Sequence, residues 1–368
     1  MLDHRRHIPQ LDGLRGVAIL LVLFHHTGMD AQFALSWRPS TYGWVGVDLF
    51  FVLSGFLITG ILLDTKGSST YFTSFYLRRG LRIWPLYYIV LFLALVVVPF
   101  FSEGVRSLIT GTPRWPYWLY LQNFVIHGYG KEGLGPTWSL CIEEQFYLVW
   151  PLAIFFLTRF RVKALLLLVL CVSPLIRHFI FTSTGDWQIV YRNTFSHLDA
   201  LAAGALVAIL LREPGRNEHT TALWMLRLAA LAALVGLPIL IMNDRDSTFV
   251  FTFLALGFGG LLGATVLLPE GSAWNRFLTI RFLRYCGKIS YGLYLTNLFT
   301  YHMAQWIMRR SGVQRSFLSE VLFAVAANMV LFLITAASWR FFEEPILSLK
   351  RKFSYAEPSR QKVAAATA

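Results

Sequence analysis

Long apolar runs separated by short polar breaks recur from residue 8 almost to the C-terminal end of the 368-residue chain. A bilayer span takes about 20 mostly apolar residues. On that measure the pattern predicts ten helices, at 8–28, 43–63, 83–101, 137–157, 164–182, 195–211, 223–243, 249–268, 285–308 and 317–342. One more apolar stretch, Trp115 to His127 (WPYWLYLQNFVIH), has only 13 residues and reads as a re-entrant or interfacial piece. The expected fold is an all-α polytopic membrane helix bundle. Residues 1–345 form the membrane domain and 346–368 a basic, disordered cytoplasmic tail.

Composition agrees with this: 56% of residues are hydrophobic and 14% charged, where a soluble domain is about a quarter charged. A formal charge of +13 raises the question of nucleic acid, but the basic residues sit in short loops and form no single surface. The positive-inside rule accounts for them better. With ten spans and a cytoplasmic N-terminus, the inner segments hold 19 Lys and Arg, from Arg5 and Arg6 to the tail's Lys350, Arg351, Lys352, Arg360 and Lys362, against 9 outside. Counting the short stretch as a crossing would put the TRFRVK loop outside. The loop RRSGVQR at 309–315 is an exception to the rule. The first apolar segment follows His4, Arg5, Arg6 and His7 as a signal peptide would, but it has interior polar residues and no small-residue cleavage site, so it is expected to stay attached. Cys141, Cys171 and Cys286 offer neither a disulfide framework nor metal-ligand spacing. No metal site is expected.

Within these spans a few ionisable residues stand out, and such groups normally face a bundle interior or a water-filled cavity. Arg15 and His26 lie 11 positions apart on the first helix, within about 20° of three full turns and roughly 16 Å along the axis. They share a face, while His25 points about 100° away. Snorkelling of Arg15 to inner and His26 to outer headgroups is the competing reading of this helix taken alone. The ten-span topology, however, puts His26, Asp48, Glu143 and Asp199 at one outer depth on four helices. Ser139, Glu143 and Tyr147 recur at i, i+4 and i+8 as a single polar stripe, with Glu144 facing elsewhere. For Asp48 alone a structural hydrogen bond to a neighbouring backbone is the simpler role, and Asp199 near a helix start could cap the helix or favour its dipole. At the inner side the loop and helix start FYLRRGLRIWPLYY brings Arg79 and Arg82 to one face. With Arg15 they form a candidate phosphate-binding cluster.

These motifs together resemble the integral-membrane acyltransferase family 3, which includes O-antigen and exopolysaccharide O-acetylases and some antibiotic acyltransferases. The resemblance rests on LDGLRGVAILLVLFHH, GVDLFFVLSGFLI, FYLRRGLRIWPLYY, LQNF, WSLCIEEQFYLVWP, HLDALAAGALVA, GKISYGLYLTN and FFEEP in family order. It implies transfer of an acyl group, acetyl from acetyl-CoA as donor substrate, to a hydroxyl of a glycan or another extracytoplasmic or membrane-delivered acceptor. No bound cofactor is implied. The implied location is a bacterial inner membrane, multi-pass, with both termini cytoplasmic. Carried over by residue, the spaced pair is Arg15 and His26, the basic pair Arg79 and Arg82, and the glutamate Glu143. YLTN ends in Asn297 where many relatives have histidine, so no catalytic role is expected there. The chain stops soon after FFEEP, without the esterase-like domain some relatives append, so the membrane domain is expected to complete the reaction.

The chemistry needs a base near neutral pH, which suits His26. Glu143 would orient its ring or stabilise the imidazolium. Asp48, Ser139, Tyr147 and Asp199 are the expected supporting or acceptor-side polar layer. Both an acyl-histidine intermediate and direct transfer are compatible with these residues. The rival class is a secondary transporter or exporter, because intramembrane Arg, His, Asp and Glu also mark transport paths, although no second copy of the first-half pattern is present. A non-catalytic member that flips or presents an acylated molecule is a third possibility.

Overall fold

The computed structural model describes residues 7–30, 41–101, 113–125, 134–243, 248–314, 316–353 and 355. Arg5, Arg6, the end of the WPYWLYLQNFVIH stretch and the tail beyond Tyr355 lie outside the described residues. Among those described, all regular structure is helical. The first half comprises α1 (Pro9–Asp30), α2 (Val45–Thr65), α3 (Tyr71–Phe92, continued by a π turn at Leu93–Val97), α4 (Trp115–Trp118), α5 (Gln122–Val125), α6 (Thr137–Phe156) and α7 (Arg159–Thr184). The second comprises α8 (Trp187–Arg192), α9 (Leu198–Leu210), α10 (Glu218–Asn243), α11 (Val250–Leu267), α12 (Ala273–Leu278), α13 (Arg281–Lys288), α14 (Ser290–Arg310) and α15 (Phe317–Ser338).

Seven of the described helices, α2, α3, α6, α7, α10, α11 and α15, are long and apolar enough to cross a membrane. Ten was the expected number. The other three predicted spans are helical but fall short on length or composition. α9 has 13 residues; α1 carries Asp12, Arg15, His25 and His26; α14 carries Asn297, His302, Gln305, Arg309 and Arg310.

Helix starts also differ from the apolar pattern. α3 begins at Tyr71, well before the predicted 83, so Arg78, Arg79 and Arg82 all lie within one helix and not in a loop. Gly67, at φ +99°, turns the chain after α2, and the Ser68 hydroxyl accepts from the Thr70 amide at 3.3 Å. α7 likewise begins inside TRFRVK, where Thr158 caps the helix by accepting from the Arg161 amide. Hydropathy marks the part of a helix that lipid or protein buries, whereas the backbone hydrogen-bond ladder runs on into charged residues.

The bundle depends on close backbone approaches. A Cβ on Gly204 would fall 1.9 Å from the Val52 carbonyl oxygen, and one on Gly55 2.0 Å from that of Leu201, so α2 and α9 touch backbone to backbone. Small residues at such crossings let membrane helices pack without side-chain gaps. This seam fixes the rotation of α2, and with it the direction of Ser54 beside Gly55.

The short apolar stretch forms two single helical turns, α4 and α5, tied to α6 by buried amides. Gln122 donates to the Thr137 hydroxyl and carbonyl at 3.1 and 3.2 Å, and Gln145 to the Tyr120 carbonyl at 2.9 Å and the Asn123 side chain at 3.1 Å. Non-helical backbone at membrane depth is tolerated where protein groups satisfy it, which explains the polar residues of LQNF. The predicted tail is helical at its start: α15 continues through a π turn at Trp339–Glu343 to Lys352. Arg78 holds that end on α3, donating to the carbonyls of Lys350 (3.5 Å) and Phe353 (3.3 Å).

Candidate functional site

A cavity of about 90 Å³ opens where α1, α2, α3, α6 and α14 meet. That is room for several waters or one small acyl group. Its polar lining is Arg15 from α1, Ser54 from α2, Arg79 and Arg82 from α3, Ser139, Glu143 and Tyr147 from α6, and Ser290, Tyr291 and Tyr294 from α14. The apolar walls include Phe50, Phe51 and Ile83. The predicted stripe Ser139, Glu143 and Tyr147 thus faces one space. Glu144, one position round the helix, accepts from the Trp84 indole at 3.0 Å.

Ser54 joins the stripe from the facing helix. Its hydroxyl donates to Glu143 in a short hydrogen bond and lies 3.1 Å from the Tyr147 hydroxyl. Ser139 and Tyr294 share a hydrogen bond of 2.6 Å, and the Tyr294 hydroxyl also donates to the Pro136 carbonyl at 3.0 Å. Tyr291 donates to the Ile83 carbonyl at 2.8 Å, joining α14 to α3. These contacts hold the polar side chains in one orientation each.

Charge in the cavity is unbalanced. Arg15 pairs with Asp12, one turn back on its own helix, at 3.5 Å. Arg79 stacks over the Tyr147 ring at 5.6 Å, and neither Arg79 nor Arg82 has an ion pair among the described residues. Glu143 faces both arginines, and Glu343, in the π turn of α15, faces Arg82. Three guanidinium groups around one polar cavity make a site for an anion.

Two expectations need correction. Glu143 was expected beside His26, at the outer ends of their helices, with the arginines apart at the inner side. Instead Glu143 shares the arginine cavity, where Ser54 and Tyr147 hold it, and His26 is not among the lining residues. Helix geometry gives the reason: eleven residues place His26 roughly 16 Å along α1 from Arg15, too far for one carboxylate to serve both. His25 is buried, with its Cβ under Gly43 at the start of α2, while His26 is more open. The two rings lie 5.6 Å apart.

Asp48 and Asp199 do not join this cavity either. Each is at most 1% exposed and belongs to a separate buried network. Asp48 lies 3.3 Å from His197 Nδ1, and His197 Nε2 donates to the Tyr191 carbonyl at 2.7 Å. Phe51, Trp138, Tyr191 and Phe251 pack around that imidazole. Asp199 accepts from Arg177 at 2.8 Å and from Thr252 at 2.7 Å, while Arg177 also donates to the carbonyls of Thr248 and Ser196. The partner Asp48 finds is the His197 imidazole, not a neighbouring backbone group. Asn297 is fully buried and donates to the Leu293 and Tyr294 carbonyls of its own helix.

The sequence reading passed over Ser54, Tyr294, Arg177 and His197. Ser54 is a lone hydroxyl in VLSGF, Arg177 a lone charge in SPLIRHF, and His197 sits two residues before Asp199. Isolated polar residues in apolar runs were the available signal. Their partners lie up to 158 positions away, which no local spacing reveals.

With the geometry in place, comparison with known proteins decides the family. The family described as "Acyltransferase domain" matches residues 8–338. The chain belongs to this acyltransferase family. YrhL of Bacillus subtilis is 31% identical over 322 residues, 80% of this chain and 48% of that protein. The protein named O-acetyltransferase OatA from Staphylococcus aureus is 29% identical over 367 residues, 93% of this chain and 57% of its own length. The one named peptidoglycan O-acetyltransferase OatA from Listeria monocytogenes is 26% identical over 365 residues, 93% of this chain and 56% of its own. The chain spans about half the length of the curated relatives it matches. No solved structure matches it.

Proposed function

We propose that this chain is a membrane O-acetyltransferase that takes an acetyl group from cytoplasmic acetyl-CoA and passes it to a hydroxyl of a cell-envelope glycan. The observation that carries this reading is the convergence of Arg15, Arg79 and Arg82 on one cavity, where among the described residues only Arg15 has an ion pair, with Asp12. CoA is a flexible thioester arm ending in phosphates, and arginine clusters recognise phosphate. The names of the OatA proteins favour an enzyme over a transporter, and peptidoglycan is one candidate acceptor.

In this reading the phosphates rest at the arginine cavity, and the pantetheine arm runs along the face of α1 that carries both Arg15 and His26. The thioester then comes to His26, about three turns further. His26 takes the proton of the attacking acceptor hydroxyl, the new C–O bond forms as the C–S bond breaks, and the departing thiolate recovers the proton from the imidazolium. Glu143 has a positioning role: it opposes the mutual repulsion of Arg79 and Arg82 and orders Ser54 and Tyr147. Both termini are cytoplasmic in this scheme, which the 19 to 9 loop-charge bias supports.

Two measurements test it together. Purified protein in detergent should release CoA from acetyl-CoA only when an acceptor is supplied, and cells carrying the protein should gain alkali-labile acetate on their surface glycans. Uptake of a solute without CoA turnover would instead make it a carrier.

A further inference from the structure

The end of α15 returns to the arginine cavity from 271 positions away in sequence (350 − 79). Lys350 sits in the final 3-10 turn, Leu349–Lys352, which packs on α3. Arg78 secures that turn through the carbonyls of Lys350 and Phe353 and lies over the Tyr355 ring at 5.5 Å. Arg78 is therefore occupied as a strut. The Lys350 ammonium is brought within electrostatic reach of Arg82, Arg79, Arg78 and Arg15. Among the described residues it has no carboxylate partner.

A lysine at a helix end ordinarily reaches outward to lipid headgroups or water. This one is partly buried and gathered with like charges, an arrangement that costs energy unless an anion of several charges sits among them. Glu143 and Glu343, which face the group, and Asp12, which pairs with Arg15, offset only part of the charge of five basic side chains. The order of groups along CoA then selects the ligand atom. With the acyl end leading into the membrane, the pyrophosphate follows the pantetheine arm and the ribose 3′-phosphate comes last. Arg15, Arg79 and Arg82 line the cavity itself, and Lys350 lies at the end of the last helix beside it.

We infer that Lys350 contacts the 3′-phosphate of the acyl donor and makes the enzyme prefer CoA to the same nucleotide without that phosphate. The inference rests on the acyl-CoA reading above. The experiment compares binding of CoA and dephospho-CoA to the detergent-purified full chain, with Lys350→Met, which keeps the apolar stem, and Lys350→Arg, which keeps the charge. Losing one charge-assisted phosphate contact should weaken CoA binding about tenfold in Lys350→Met and leave dephospho-CoA unchanged, so the preference disappears; Lys350→Arg should retain it. Arg82→Ala should weaken both ligands. Equal losses for both ligands in Lys350→Met, or no loss for either, would overturn the role of Lys350 while leaving the arginine site standing. A wild-type protein that binds neither ligand would overturn the acyl-CoA reading itself. Size-exclusion profiles identify a variant that has misfolded, and in that case Lys350→Gln supplies the same comparison.

Discussion

Ser54 of α2 donates its hydroxyl to Glu143 of α6, in a cavity lined by Arg15, Arg79 and Arg82 and not by His26. The proposed mechanism accordingly gives the two residues separate tasks: the carboxylate organises the cationic cavity, and the imidazole acts further along α1. Two groups working as one unit lose activity together, whereas separate ones lose it independently. Glu143→Gln should therefore raise the apparent KM for acetyl-CoA severalfold, and His26→Ala should lower kcat. The double variant should lose roughly the product of the two effects, measured by acceptor-dependent CoA release. A double variant no worse than His26→Ala would return Glu143 to the histidine.

The stripe Ser139, Glu143 and Tyr147 was legible because i, i+4 and i+8 share a helix face whatever the helix packs against. Arg15, Arg79 and Arg82 were legible for the same reason. Which stripe meets which was not. Assigning depth by counting residues from span ends put Glu143 and Asp48 in one layer, but depth says nothing of rotation, and Asp48 turns toward His197 instead. Of the ten expected spans, three do not stand out by length and composition: polar residues interrupt α1 and α14, and α9 is short. The bundle itself was plain, because lipid leaves only helices or closed barrels as spanning structures.

Arg177 and Asp199 are each 1% exposed by side chain and 2.8 Å apart. Removing one partner of a buried pair leaves an uncompensated charge and costs about 3–5 kcal/mol. Arg177→Leu should accordingly lower the midpoint of thermal unfolding in detergent, with Asp199→Leu/Arg177→Leu less harmed than either single change. The surviving folded fraction should bind CoA normally. Selective loss of CoA binding with an unchanged midpoint would contradict a purely structural role.

Orientation can be read from two exposed loops. Gln314 follows α14 on the side assigned to the outside, and Gly271 lies between α11 and α12 on the side assigned to the cytoplasm, with open space where a Cβ would stand. In a background lacking the exposed Cys171, Gln314→Cys should react with an impermeant thiol reagent on intact cells and Gly271→Cys only after lysis. The reverse pattern would invert the side from which the acyl donor enters.

In the proposed mechanism, phosphate binding at the arginine cavity and proton transfer at His26 are separate events joined by one face of α1. Acceptor-dependent release of CoA, measured beside equilibrium CoA binding on the same purified variants, tests it most directly. A positioned general base contributes about 10² to 10⁴ in rate. His26→Ala should lose at least a hundredfold in CoA release while binding CoA normally, and His25→Ala much less. Normal CoA release by a stably folded His26→Ala protein would rule out His26 as the base.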